Sequence, residues 1–218
     1  MVGLTRWGDA TRTGLWSEIT IVEHCRHQQD RARILALLLI VWGGVVPLFA
    51  NAAQVGGVFL PDVSRIAGTN LVLNGIALRT YSVLHIHVYV AGLYLERRNN
   101  NADAVVHSSE VKVLEVHFLL TVSQETVRNE WRRGFAVNCQ EPCRLSPQDI
   151  ETFIAKVPGV RDGDVSIFLF KHDGLSVTFN GRLLGTTTNQ YFEQQVLAHF
   201  LGRAPASPEV KQGLMGGG

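Results

Sequence analysis

Apolar and polar residues alternate along much of residues 71–120, and a period of two sends side chains to opposite faces of a strand. Leu71-Val72-Leu73 and Ile76-Ala77-Leu78 flank Asn74-Gly75, a dipeptide suited to the positive φ angles of a type I′ turn, so this stretch reads as a hairpin. Residues 83–95 read as one long strand whose apolar face is Leu84, Ile86, Val88, Val90 and Tyr94. Residues 111–120 read as the next strand. The period then lengthens. Val127, Trp131 and Phe135 recur every four residues behind Ser123, an N-cap type, which predicts a helix to Asn138. A second helix starts at Ser146 as cap, with Pro147 in the first position, Asp149 three residues on, and Leu145 and Ile150 at staple spacing. It stops before Pro158-Gly159.

Two tight turns, Asp173-Gly174 and Asn180-Gly181, join strands at residues 165–170, 175–179 and 182–184. A last long helix over residues 189–201 carries Phe192, Val196, Phe200 and Leu201 as its stripe and ends at Gly202, followed by a short helical turn and a tail. Strands, helices, strands and a helix in that order predict an α+β domain with an antiparallel sheet covered on one side. No repeat or linker divides it, so residues 53–218 form one domain.

Residues 34–50 are uncharged and strongly apolar, follow Arg31 and Arg33, and run into Ala50-Asn51-Ala52. That is the layout of a signal peptide, cleaved near Ala52, and the expected location is periplasmic or secreted. The alternative is an inner-membrane anchor, although Gly43-Gly44 and Pro47 interrupt the run. Residues 1–52 are therefore set aside as an N-terminal extension with a signal segment. Cys139 and Cys143, the cysteines that remain, suit a disulfide in an oxidising compartment. From Ala53 onward 15 basic residues balance 15 acidic ones. That balance gives no electrostatic reason to bind nucleic acid or an anionic bilayer, and leaves the N-terminal segment, if uncleaved, as the membrane contact.

Arg79 interrupts an apolar strand, where a guanidinium is costly unless an anion or acceptor meets it. If strand parity holds, Arg79, Tyr81, His85, His87 and Tyr89 share a face, which could wall an anionic, partly apolar ligand. The alternative is a local salt bridge for Arg79 and histidines facing solvent. His85 and His87, with His117 on another strand, lack an evident third ligand, so no metal and no cofactor are expected. No Gly-x-Ser-x-Gly elbow and no phosphate-binding glycine loop is present.

Leu73-Asn74-Gly75-Ile76-Ala77-Leu78-Arg79, then Val88-Tyr89-Val90-Ala91-Gly92-Leu93-Tyr94-Leu95, resemble bacterial chalcone isomerase-like proteins. So do Val122-Ser123 through Trp131-Arg132-Arg133-Gly134-Phe135, and Phe179-Asn180-Gly181 through Leu184-Gly185-Thr186. The similarity spans residues 57–214. It implies an open-faced β-sandwich: a large antiparallel sheet, a helical layer on one face, and a ligand cleft between them. Plant chalcone isomerases place an arginine on the early hairpin, a threonine on the next strand, a tyrosine and an asparagine on the first long helix, and a late hydroxyl. Here the arginine falls on Arg79 and the strand position on Tyr89. The helix positions fall on Val127 and Gly134, which offer no side-chain donor, and the hydroxyl falls within Thr186 to Thr188. Ring closure needs donors to hold the developing enolate. Relatives that bind fatty acids keep an arginine, often with a tyrosine. The resemblance therefore implies a non-catalytic periplasmic binding protein for a fatty acid or similar amphiphilic anion. Its expected ligand contacts are Arg79, Tyr89, Val127, Trp131, Thr186 and Thr188. The alternatives are an isomerase or lyase on another substrate, and a structural envelope protein.

Overall fold

The computed structural model describes residues 52–139 and 143–217, so the signal segment expected over residues 34–50 lies outside the described residues. A two-stranded hairpin, β1 (Ala52–Val55) with β2 (Val58–Pro61), precedes a seven-stranded sheet. The sheet is β3 (Val63–Ile66), β4 (Thr69–Tyr81), β5 (Ile86–Leu95), β6 (Lys112–Phe118), β7 (Val165–Lys171), β8 (Gly174–Phe179) and β9 (Arg182–Thr187). Its order in space is its order in sequence, with every neighbouring pair antiparallel. Five helices complete the domain: α1 (Ala102–His107), α2 (Gln124–Asn138), α3 (Pro147–Lys156), α4 (Gln190–Leu201) and α5 (Pro208–Leu214).

The helix ends lie where the capping residues put them. Ser123, Ser146 and Asn189 each accept backbone N–H bonds from the first turn of α2, α3 and α4. Because strand residues alternate, one sheet face carries Ala77, Leu93, Leu114, Phe168 and Val177 into the helical layer, where they meet Trp131, Phe135, Phe192 and Phe200. The opposite face is covered in part by Leu60 of the small hairpin, packed on Leu71, Leu73, Tyr94 and Val113. Both faces of β5 are thus buried from Val90 to Leu95. Among the described residues no helix is long and apolar enough to cross a membrane.

Two expected turns and strands change. Asn74-Gly75 is no hairpin tip, because β4 runs straight through it with a register shift between Leu73 and Gly75. Asn74 is buried there; its Nδ2 donates to the Leu214 carbonyl at 2.7 Å and its Oδ1 accepts from Asn99 N at 2.7 Å. A Cβ at Gly75 would overlap the Gly213 carbonyl, so this glycine is where α5 lands on the sheet. The hairpin turn is instead Ser82–His85, which shortens the strand expected over residues 83–95 to β5. Val83 and Leu84 sit at its tip, 91% and 78% exposed, so their apolar character marks no buried face. The strands β1 to β3 and the helix α1 were not expected from the sequence. Asn101 caps α1, and the buried Lys112 ammonium after it is met by the Ser108 carbonyl and hydroxyl.

Cys139 and Cys143 form a disulfide across a Cα separation of 5.1 Å, joining the end of α2 to the start of the segment before α3.

Candidate functional site

A cavity of about 330 Å³ lies between the helix-facing side of the sheet and helices α2, α3 and α4. Its floor is strand side chains, among them Tyr89, Val116, Phe118, Ser166, Phe168 and Val177. Val127 and Trp131 of α2, Phe153 of α3, and Phe192, His199 and Phe200 of α4 form the roof. The exposed members of the lining, Asp149, Thr152, Lys156, Thr186 and Asn189, mark its rim. The wall is overwhelmingly apolar and aromatic, the character of a pocket for a greasy ligand with few polar contacts.

Trp131 organises the roof. Its ring stacks on His199 at 4.4 Å between centroids and 22° between planes, and it meets Phe153 edge-on at 5.1 Å. His199 is 8% exposed. Burial, which penalises the imidazolium, lowers its pKa to about 4; Glu130 opposes the shift, while Arg133 and Arg79 add to it. The ring is therefore neutral at physiological pH. The sequence reading passed over this residue. Its signal was spacing: Phe192, Val196 and His199 stand at i, i+4 and i+7 of α4, which puts the histidine on the buried stripe.

Tyr89 lines the cavity and packs edge-on against Phe118 at 6.2 Å. Burial raises its phenol to about 12, partly countered by the positive charge of Arg79. It stays a neutral hydrogen-bond donor. Arg79 is the direct cross-strand partner of Tyr89, on the row of the sheet that faces the helices. Arg79 as a residue is half-buried, and it is not itself part of the cavity wall. No ion pair joins it to a carboxylate among the described residues. The cation that does touch the cavity is Lys156, at the rim beside Gly185.

The wider row of five residues expected on Arg79's face is broken. The register slips between Arg79 and Thr80, so Tyr81 lies opposite Ile86 and not in the Tyr89 row. His85 falls in the turn with φ 50° and His87 is exposed, while His117 sits 2.6 Å from Glu115. Of the remaining expected contacts, Val127, Trp131 and Thr186 line the cavity, together with Thr187; Thr188 does not. At the two helix positions where a catalytic donor would stand, Val127 presents hydrocarbon to the cavity. Gly134 is buried beneath His199, where a Cβ would overlap the imidazole Nδ1.

Among solved structures, the chain is similar to the crystal structure of an Arabidopsis thaliana fatty-acid binding protein. The TM-score is 0.62 at 16% sequence identity, covering 76% of this chain and 96% of the other. That likeness is one of fold. No curated protein gives a significant sequence match. The family model described as chalcone isomerase-like matches residues 52–216, which is the sheet and all five helices, and the chain belongs to that family.

Proposed function

We propose that the protein is a non-catalytic binding protein for a fatty acid or a similar amphiphilic carboxylate, acting outside the cytoplasm. The observation that carries this reading is the make-up of the cavity. It is walled mainly by aromatic and aliphatic side chains, has hydrocarbon at Val127, and includes the neutral phenol of Tyr89, whose cross-strand neighbour Arg79 has no ion-pair partner among the described residues. A carboxylate at Tyr89 would accept a hydrogen bond from its hydroxyl and lie within the field of Arg79, while the acyl chain fills the aromatic slot. At about 30 Å³ for a water-sized group, 330 Å³ holds roughly eleven such groups, the bulk of a medium-length chain. The fold shared with a protein described as fatty-acid binding supports the ligand class. The apolar run at residues 34–50 and the Cys139–Cys143 bridge support export.

The test is calorimetric titration of delipidated protein with dodecanoate. Arg79→Ala removes a charge-assisted contact and is expected to weaken binding roughly tenfold to a hundredfold with the fold intact. Lys156→Ala is the control. Loss of binding in that variant alone would place the carboxylate at the rim and reject the role given to Arg79. Turnover of chalcones or related enones that depends on Arg79 would reject the non-catalytic reading.

A further inference from the structure

The turn between β4 and β5 is an apolar tip that stands clear of the domain. Residues 81–87 are all exposed. Tyr81 and Ile86, 64% and 40% exposed, are cross-strand partners and flank Val83 and Leu84 on one face of the hairpin. Leu120, exposed as well, stands beside the base of the hairpin, where the neighbouring Leu119 N donates to the Val88 carbonyl at 2.9 Å. Single exposed apolar side chains need no explanation, whereas a cluster of them marks a contact surface. The shape of the tip is fixed. Leu84 N donates to Ser82 Oγ at 3.3 Å, and His85 N donates to the Ser82 carbonyl at 3.1 Å. Ser82 and His85 hold φ values of 62° and 50°, a left-handed conformation that residues other than glycine disfavour. Two strained residues thus keep Val83 and Leu84 out in water.

We propose that this tip docks the protein on the surface of a phospholipid bilayer, with Val83 and Leu84 inserted at the boundary between headgroups and acyl chains. Size favours a bilayer over a protein partner. A stable protein interface takes roughly 20–30 residues a side, and here only residues 81–87 and Leu120 project. Chemistry points the same way. Behind the apolar pair, Tyr81, Ser82, His85 and His87 all carry O–H or N–H donors, and residues 79–95 contain no Asp or Glu. Such a collar complements the phosphate and ester oxygens that lie over the hydrocarbon of a bilayer. Asp162 and Asp164, at this end of the sheet too, stand two strands away before β7, next to Arg161. Tyr81 has the amphipathic ring that settles at a membrane interface. Interfacial segments sink about 5–10 Å, which two or three strand residues at about 3.3 Å each would span, so the tip enters as far as Tyr81 and Ile86. The driving force is apolar burial, so the even charge balance of the domain does not oppose it. Val88 and Tyr89, which line the cavity, follow the tip along β5, and docking brings that end of the cavity toward the bilayer.

The experiment uses the full chain and vesicles of phosphatidylcholine with phosphatidylglycerol, prepared with and without bromine on the acyl chains. Leu84→Trp puts a fluorescent reporter on the tip. Its emission, taken as the difference from wild type, should shift to the blue with vesicles and be quenched by the brominated lipid, at low and at high salt alike. Val83→Asp combined with Leu84→Asp should weaken vesicle partitioning roughly tenfold to a hundredfold. Urea unfolding and dodecanoate binding of that double variant should match wild type, since neither side chain is buried or lines the cavity. Absence of quenching at position 84, quenching abolished by salt, or undiminished partitioning of the double variant would each overturn the proposal. So would a blue shift that needs no vesicles and grows with protein concentration, which would assign the tip to a second copy of the chain. Dodecanoate binding measured on the same samples keeps a failure of docking distinct from a failure of the binding reading.

Discussion

Lowering the pH from 7 to 5 is expected to remove about 2 kcal/mol of stability through His199 alone, rising to about 3 kcal/mol at pH 4. The imidazole titrates at about 4 in the folded protein against 6.5 when unfolded, chiefly because burial penalises its charge. Between those values the unfolded chain holds a proton that the folded chain lacks, so stability rises with pH in that window. The contribution is fully present above 6.5, is lost progressively as pH falls toward 4, and saturates below it. The charged groups acting on the ring are Glu130 and Arg133 of α2 and Arg79 of β4; the first favours protonation and the two cations oppose it. Urea unfolding of wild type and His199→Phe at pH 7, 6 and 5 isolates the term, since every other titrating group is common to both. Wild type should lose about 2 kcal/mol more than the variant by pH 5, which is a fall in Tm of roughly 4–8 °C for a domain of this size. Parallel pH dependence in the two proteins would show that His199 is hydrated or already protonated in the folded protein, and would refute the burial-lowered titration.

Three further outcomes follow from the packing. Gly134→Ala gains about 1 kcal/mol of helix propensity, but its Cβ overlaps His199 Nδ1 and overpacking costs about 1–3 kcal/mol. Net destabilisation in urea is expected, and it should vanish when measured in a His199→Ala background; persistence there would place the clash elsewhere. Asn74→Ala strands the Leu214 carbonyl and Asn99 N–H, so it should cost about 1–3 kcal/mol and make α5 the first segment cut in limited proteolysis. Proteolysis unchanged from wild type would refute that. Reducing the Cys139–Cys143 bridge, which spans a sequence separation of 4, should cost about 2 kcal/mol by loop entropy, read as a lower Tm with reductant and matched by the double serine variant. A Tm indifferent to reductant would count against a stabilising bridge.

What was legible in the sequence was local. Ser123 and Ser146, read as caps, sit one residue before α2 and α3, because a cap acts within its own first turn. The strands at β6 to β9 were readable because their alternation and turn residues agree. Asn74-Gly75 misled because the same dipeptide that suits a turn also suits a bulge. The decision is made by Leu214 and Asn99, which lie 140 and 25 positions away. Val83 and Leu84 misled by being apolar at a solvent-exposed tip. In the site, Tyr89 was readable from the family pattern and Val127 and Trp131 from their four-residue spacing, whereas the slip after Arg79 was not, since nothing in the local sequence encodes it. His199 escaped because a histidine within an apolar stripe is not counted as apolar, although its place in the period gives it away.

The Asn74–Leu214 clasp also governs the order in which the molecule can be completed. Each strand of the meander pairs with the strand made just before it, so the sheet can assemble progressively as the chain emerges from the ribosome. The Gly75–Ala77 stretch of β4, by contrast, stays bare until the final helix has been synthesised and swings back across 140 positions to cover it. During that interval a nascent chain carries an uncovered apolar strip on an otherwise formed sheet, and a holdase would find its grip there.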